Sequence, residues 1–270
     1  MFIKILKMIA LLRNSLIEKL IKSNIYFLYY SNFIIKSFSF ILLPLEKDWK
    51  GFKKIKINEN QKIIDIGAHW GESYIIFRKY FKNMIYCYEP NPNSFRYLKK
   101  KTLNDPKTKV YNYGISSKNM KKKLFFPSCG KNELTLWGND NIKNLKNRLS
   151  THTYLKVKKI NFISKYCFFK KFPNINNVGI IKIDVEGAEL EVLKGIKKKI
   201  LNKTKIIFIE FNENNFKKIV SFLLKLDFYP YVYENSINSF SKITKDKDIN
   251  KIKKIKNAVN VFFSKKKLDI

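Results

Sequence analysis

The stretch Lys62-Ile-Ile-Asp-Ile-Gly-Ala-His-Trp-Gly71 joins a short apolar run to a turn that contains two glycines. The apolar residues predict a buried strand over 62–66, and a helix is expected from about Glu72. Glycines let the backbone turn sharply and come close to a ligand, and the following helix N-terminus favours polar or anionic groups. The spacing differs from the glycine patterns of dinucleotide sites and of phosphate loops. The candidate ligand-binding residues of this stretch are Asp65, Gly67, Ala68, His69 and Gly71.

Beyond this stretch, short apolar runs alternate with helical segments, which is typical of a parallel sheet covered by helices. The predicted strands are 62–66, 84–88, 109–113, 178–184, 205–210, 229–233 and 259–264. The predicted helices are 72–82, 91–104, 188–199 and 214–226. Two more strands, 123–126 and 155–160, flank a polar segment over 128–150, which is a candidate substrate-facing loop. The sequence therefore predicts an α/β domain over residues 61–270.

Glu89 ends the second predicted strand, about twenty residues past the glycine turn. In a doubly wound sheet an acidic side chain at this place can accept hydrogen bonds from both ribose hydroxyls of a nucleoside. The same carboxylate can also cap the helix that opens at Asn91-Pro92. Its combination with the glycine turn favours ribose binding, with Pro90 as a neighbouring candidate contact.

A second dense group of ionisable residues lies in Ile180-Ile-Lys-Ile-Asp-Val-Glu-Gly-Ala-Glu-Leu190. A buried strand would deliver Lys182 and two acidic residues to the carboxyl edge of the sheet, where open α/β sheets bind ligands. Ionisable groups crowded in one place alter one another's proton affinity, as a general base requires. Glu189 opens a helix, and the helix dipole accounts for it. The candidate catalytic residues are Asp184, Glu186 and, at the end of the neighbouring strand, Glu210.

The charge of the chain is strongly basic, with 55 Lys and Arg against 21 Asp and Glu and a formal net charge of +34. Nearly all of the basic residues are lysines, since only positions 13, 78, 96 and 148 are arginines. Abundant Lys, Asn and Ile are what AT-rich codons supply, so compositional drift accounts for most of the charge. Specific nucleic-acid contacts prefer arginine, which argues against a nucleic-acid partner. The charge can still favour contact with a membrane surface.

The cysteines and the start of the chain bear on its compartment. Cys87, Cys129 and Cys167 are widely spaced and form no zinc or disulfide pattern, so no metal site is predicted and a reducing compartment is expected. The first ten residues lack the apolar core and cleavage site of a signal peptide. We therefore expect a cytoplasmic protein.

Residues 1–60 are expected to form an N-terminal extension with a character of its own. Apolar and basic residues alternate over 11–21 in the pattern of an amphipathic helix, and residues 23–45 are strongly apolar and aromatic. Polar residues dilute the second stretch below a typical transmembrane span. The extension is consistent with a helical lid, with peripheral contact of residues 1–45 with the inner face of the membrane, and with a true span.

The order of these motifs resembles the FkbM-type family of class I methyltransferases over roughly residues 60–265. The resemblance is carried by Ile64-Asp-Ile-Gly-Ala-His-Trp-Gly71, Tyr88-Glu-Pro-Asn-Pro92, Ile181-Lys-Ile-Asp-Val-Glu-Gly-Ala-Glu189, Val192-Leu-Lys-Gly195 and Ile207-Phe-Ile-Glu210. It implies a Rossmann-like sheet of seven strands with a reversed last strand, helices on both faces, and S-adenosylmethionine (S-adenosyl-L-methionine) as cofactor. It also implies methyl transfer, mostly to hydroxyl oxygens of sugars or natural products.

The resemblance assigns roles by position. Asp65, Gly67 and Gly71 would line the methionine end of the cofactor, and Glu89 would hold its ribose. The family usually has Asn where His69 stands. Near the adenine it often has a Ser-Asp pair, where this chain has Ser116 followed by a second serine.

The resulting hypothesis is O-methylation of a sugar hydroxyl in a surface glycan or a glycolipid precursor. Asp184 would act as base or would orient the acceptor, supported by Glu186 and Glu210. A divalent metal held by these carboxylates is a second way to activate the hydroxyl. Three competing hypotheses are a natural-product acceptor, a nucleobase acceptor and a catalytically silent scaffold at the membrane. The sequence does not determine the oligomeric state.

Overall fold

A computed structural model gives the fold of residues 47–117, 120–129, 132–133, 156–165, 177–211, 215–243 and 259–268. The predicted helix over 11–21, the apolar stretch 23–45 and most of the segment 128–150 lie outside these described residues. Within the described part of the chain, no helix combines the length and apolar character needed to cross a membrane.

The main sheet has eight strands, and its centre is parallel. In chain order its strands are β1 (Lys62–Ile66), β2 (Ile85–Tyr88), β3 (Thr108–Tyr111), β8 (Val178–Ile183), β9 (Ile206–Phe211), β10 (Tyr229–Glu234), β11 (Ser239–Lys242) and β12 (Val259–Ser264). Their spatial order is β11-β10-β12-β9-β8-β1-β2-β3. The five strands from β9 to β3 are parallel, and β12 is antiparallel to both β9 and β10. The predicted Rossmann-like α/β fold with a reversed last strand is confirmed.

The strand count differs from the predicted seven because of a hairpin at one edge. Strand β11 pairs with β10 in antiparallel register across a four-residue turn over 235–238. The sequence of β11, Ser-Phe-Ser-Lys, lacks the apolar run of a central strand. Polar residues and lysine are tolerated there because the strand lies at the edge of the sheet.

The central strands are buried on both faces, which explains their continuous apolar runs. Ile63, Ile180 and Phe208 belong to the core on one face. Residues one position later in β1, β8 and β9 belong to the core on the other face. The helices are α1 (Glu72–Tyr80), α2 (Pro92–Lys101), α3 (Glu189–Gly195), α4 (Lys198–Lys203) and α5 (Phe216–Leu224).

The helix predicted over 188–199 is interrupted. Ile196 takes an extended backbone with φ −90° and ψ 129°, and this separates α3 from α4. A Cβ atom on Gly195 would lie 2.3 Å from the carbonyl oxygen of Ser116, so only glycine permits this close contact. Helical periodicity runs through the junction, and the tertiary contact decides where the first helix ends.

A second, smaller sheet follows β3 in the chain. Its strands are β4 (Gly114–Ile115), β5 (Met120–Cys129), β6 (Asn132–Glu133) and β7 (Lys156–Lys165), in the spatial order β4-β7-β5-β6. The long antiparallel pair β5 and β7 contains the strand predicted over 123–126 and overlaps the one predicted over 155–160 from Lys156 onward, and both strands are longer than predicted.

A 3-10 helix over Lys47–Lys54 contributes to the core of the compact unit that runs from Asp48 to the end of the chain. Phe52 is fully buried on it. Its ring centroid lies 4.9–5.2 Å from those of Phe77, Phe208 and Phe262. This aromatic group joins the 3-10 helix to α1 and to two strands of the sheet.

We expect Phe52→Ala to lower the free energy of unfolding by about 3–5 kcal/mol, because a fully buried ring leaves a cavity when it is removed. Chemical denaturation monitored by circular dichroism measures this change. The matched control is Leu103→Ala, whose side chain is 76% exposed and should change stability by less than about 0.5 kcal/mol. Equal effects of the two substitutions would contradict the packing described here.

Candidate active site

The carboxyl ends of β1, β2, β8 and β9 meet at one edge of the sheet. In the strand register Ile66 pairs with Tyr88 and with Ile183, and Ile183 pairs with Ile209. The loops that follow these strands therefore lie side by side at the place where open α/β sheets bind their ligands. Because Asp184 and Glu210 each follow a paired residue, the register puts them at the same level on neighbouring strands.

The loop over 67–71, called the donor loop below, is shaped by three residues with positive φ. These are Gly67 (77°), His69 (48°) and Gly71 (86°). A Cβ atom on Gly67 would lie 1.8 Å from the carbonyl oxygen of Asp184. The close contact between residue 67 and the end of β8 therefore requires glycine at this position. His69 lies in the left-handed region, which Asn adopts readily. This geometry gives a physical reason for the Asn that the resembled family usually has at this position.

Glu89 ties the donor loop to the loop after β2. Its side chain is buried, and its Oε2 accepts a hydrogen bond from the His69 backbone N–H at 2.8 Å. The Oε1 atom accepts one from the Asn91 N–H at 2.7 Å. Burial raises the pKa of this carboxyl group. Asn112, which the sequence did not single out, supports the turn by donating from Nδ2 to the carbonyls of Glu89 and Pro90.

The polar groups at this edge fit the expected nucleoside cofactor. Each Glu89 oxygen accepts one hydrogen bond and keeps a lone pair that can accept a ribose hydroxyl. The Nδ2 atom of Asn91 is buried and has no hydrogen-bond partner among the described residues, which leaves a donor available two positions further on. Ribose binding by Glu89 stays a prediction that this arrangement permits.

Asp65 lies beneath the donor loop. Its side chain is fully buried. Its Oδ2 accepts a 2.5 Å hydrogen bond from Ser73 Oγ in the first turn of α1, and its Oδ1 lies 3.3 Å from Lys182 Nζ. In this arrangement both carboxylate oxygens face residues of the chain itself, so direct contact of Asp65 with the cofactor stays a prediction.

Lys182 is the buried cation of the site. Its Nζ donates to the Gly67 carbonyl at 2.7 Å and also lies 3.3 Å from Asp184 Oδ2. Burial acts to lower the pKa of Lys182, but the charges of Asp184 and Asp65 outweigh it and raise the pKa above its ordinary value. The ammonium therefore keeps its proton throughout the physiological range. The sequence signal for this buried cation is a lysine within the apolar run of β8, because a buried charge needs partners.

The turn after Asp184 presents the second predicted carboxylate. Glu186 and Gly187 both have positive φ, at 54° and 110°, which is the combination found in type I′ turns. Glu189 Oε1 accepts the Gly187 N–H at 2.7 Å, and Asn215 Nδ2 donates to the Gly187 carbonyl at 2.7 Å. The turn is thus held from both sides, while the side chains of Asp184 and Glu186 remain partly exposed.

Two of the predicted cofactor residues make contacts within the protein. Ser116 Oγ donates to Glu191 Oε1 of helix α3 at 2.9 Å, and Ser117 Oγ donates to the same atom at 2.6 Å. Ala68 is buried in the core. Neither position is shown in contact with a cofactor, and an adenine contact by Ser116 stays a prediction.

His69→Val should lower the free energy of unfolding by about 1–2 kcal/mol, because a β-branched side chain is strained in the left-handed region. His69→Asn should leave the free energy of unfolding within about 0.5 kcal/mol of its original value. Urea denaturation of the two variants side by side measures both. Indistinguishable stabilities would show that the backbone at residue 69 is not left-handed.

Comparison with known proteins identifies the family. The sequence profile described as the methyltransferase FkbM domain matches residues 65–230. Methyltransferase 1 of Beauveria bassiana is 26% identical over 144 residues, which cover 50% of this chain and 57% of that protein. The 2-O-methyltransferase NoeI of Sinorhizobium fredii is 25% identical over 158 residues, covering 56% and 63%. The chain thus spans less than two thirds of each of these relatives.

Solved structures of methyltransferases match the chain at low similarity. TrmK of M. capricolum, solved with S-adenosyl-homocysteine, has 14% identity and a TM-score of 0.42, covering 83% of this chain and 70% of that one. Precorrin-6y C5,15-methyltransferase from Geobacter metallireducens has 10% identity and a TM-score of 0.41, covering 79% and 83%. Neither likeness bears on the substrate of this chain.

The profile match spans more than half of the chain and contains the donor loop, Glu89, the Asp184 turn and Glu210. It confirms the predicted methyltransferase class of the domain and S-adenosylmethionine as its methyl donor. The chain belongs to the FkbM methyltransferase domain family.

Proposed function

We propose that the protein transfers a methyl group from S-adenosylmethionine to a hydroxyl oxygen of a sugar, in a surface glycan or a glycolipid precursor. One observation carries the proposal: the Asp184 side chain is 30% exposed beside the donor loop while its Oδ2 is held 3.3 Å from a buried ammonium. Such a carboxylate is fixed in direction yet open to an acceptor. The name of the relative NoeI, a 2-O-methyltransferase, supports an oxygen acceptor.

Methyl transfer to a hydroxyl oxygen requires a base near the acceptor. S-adenosylmethionine, when bound, supplies a methyl group activated by a positively charged sulfur. The acceptor oxygen attacks this carbon in line, so a C–O bond forms while the C–S bond breaks, and the hydroxyl proton must leave. Asp184 accepts that proton or orients the hydroxyl. Glu186 on the adjoining turn and Glu210 on the neighbouring strand would hydrogen-bond further hydroxyls of the acceptor.

Asp184→Asn should lower kcat by about 10²–10⁴-fold, the usual contribution of a general base. The affinity for S-adenosylmethionine should stay within about threefold, because the Asn side-chain oxygen can still accept from Lys182, and Lys182 keeps its contacts with the Gly67 carbonyl and with Asp65. Methyl transfer to a sugar acceptor and titration calorimetry with S-adenosylmethionine measure the two quantities. Unchanged turnover would overturn the assignment of Asp184.

Two controls accompany this variant. Asp227→Asn makes the same chemical change at an exposed position and should leave turnover unchanged. Addition of a chelator tests for a metal-assisted reaction, which it would stop, whereas a carboxylate base tolerates it. In the described part of the chain, no three acidic, His or Cys side chains are arranged to hold a metal ion together.

The acceptor can be identified by mass spectrometry of surface glycans from cells with and without the gene. Loss of one methyl group from a defined sugar would name the acceptor directly. Methylation of a natural product or of nucleic acid, with the glycans unchanged, would instead favour one of those two acceptor classes.

A silent scaffold held on the inner face of the membrane by residues 1–45 is the second candidate function. The basic and apolar character of those residues supports membrane contact. We expect the full chain, and not a version that begins at Asp48, to sediment with vesicles containing anionic lipid. If calorimetry detects no binding of S-adenosylmethionine, that result would favour the scaffold. A shortened chain that stays active but no longer sediments with the vesicles would assign residues 1–47 to localisation. A shortened chain that folds but is inactive would assign them to a lid.

A further inference from the structure

Lys182 contacts both sides of the active site through one buried ammonium group. Only 2% of the residue is exposed. The group lies near the end of a strand otherwise composed of apolar residues and glycine, and it makes one hydrogen bond and two ion pairs. The hydrogen bond goes to the Gly67 carbonyl at 2.7 Å, and the ion pairs are with Asp65 Oδ1 and Asp184 Oδ2, each at 3.3 Å.

These partners belong to segments with different tasks. Gly67 opens the donor loop, whereas Asp184 stands on the acceptor side of the proposed reaction. Two backbone contacts join the same segments, since the Asp184 N–H donates to the Ile66 carbonyl at 3.1 Å and Gly67 abuts the Asp184 carbonyl. Asp65 is in turn anchored by Ser73 on α1.

The charges require this cation. Asp65, Asp184 and Glu210 all interact electrostatically with Lys182. Without the ammonium, the carboxylates at this sheet edge would repel one another, and the Gly67 carbonyl would lose a charge-assisted hydrogen bond. The loop and the acceptor-side carboxylate would then no longer be held in one arrangement.

We infer that Lys182 is a positioning residue that locks the donor loop to the strand end carrying Asp184, so that methyl-donor binding depends on it. The inference rests on the proposed function for its meaning. The contacts of Lys182 are present in the protein without ligand. An experiment without ligand therefore tests the inference separately from the proposed function.

The test uses the double variant Asp65→Asn/Lys182→Gln in the full chain, because removing one charge alone would strand its partner in the core. Lys182→Arg is not a suitable substitute, since the planar guanidinium differs in shape and hydrogen-bond geometry. Lys217→Gln, at an exposed position of α5, is the matched control. Two measurements are made: hydrogen–deuterium exchange without ligand, and calorimetry with S-adenosylhomocysteine.

In the double variant we expect amide exchange over 66–71 to become at least about tenfold faster while β8 stays protected. The affinity for S-adenosylhomocysteine should fall by at least about tenfold. The control should match the unmodified chain in both. A uniform loss of protection would indicate a general stability role and overturn the inference, as would unchanged loop exchange or unchanged affinity.

Failure of the proposed function looks different. If the unmodified chain does not bind S-adenosylhomocysteine, the proposed function is wrong, and the loop exchange still decides whether Lys182 holds the loop. Should the double variant not fold, Ser73→Ala removes only the hydroxyl that anchors Asp65. It should then weaken ligand binding at least about twofold and speed loop exchange, and no effect on either would overturn the inference.

Discussion

Lys182 carries its charge to the edge of a sheet whose central strands are parallel and covered on both faces. A buried ammonium is tolerated only where negative charges and hydrogen-bond acceptors lie beside it, and here they come from β1, from the donor loop and from the residue after β8. The same group therefore neutralises two carboxylates and fixes a backbone carbonyl. The arrangement of the donor loop beside Asp184 depends on this one buried charge.

Backbone geometry works together with that charge. The donor loop passes so close to the end of β8 that Gly67 has no room for a side chain, and Glu89 holds the loop from the opposite side through the His69 N–H. The Asp184 turn is braced by Glu189 and Asn215. These contacts explain how two loops that follow different strands keep a defined spacing. The aromatic core packs on one face of the sheet that carries them.

Much of the fold could be read from local patterns. Strands 62–66 and 259–264 were predicted with the bounds that the structure has, because each is a mainly apolar run, the first ended by a glycine turn and the second by a run of lysines. Strand β11 was missed, since an edge strand needs no apolar run. The break between α3 and α4 was missed because it depends on contact of Gly195 with Ser116, far away in the chain.

The sequence by itself determined the α/β class, the family and the set of ionisable residues at the carboxyl edge, because these follow from periodicity and from short motifs. Only the tertiary structure decided what those residues touch. Asp65 turned out to lie beneath the donor loop, Ser116 to bind Glu191, and Lys182 to join the two loops. Such partners are set by strand register and by the burial of charge. Both bring together residues that are far apart in the chain, and Lys182 and Gly67 are separated by 115 positions.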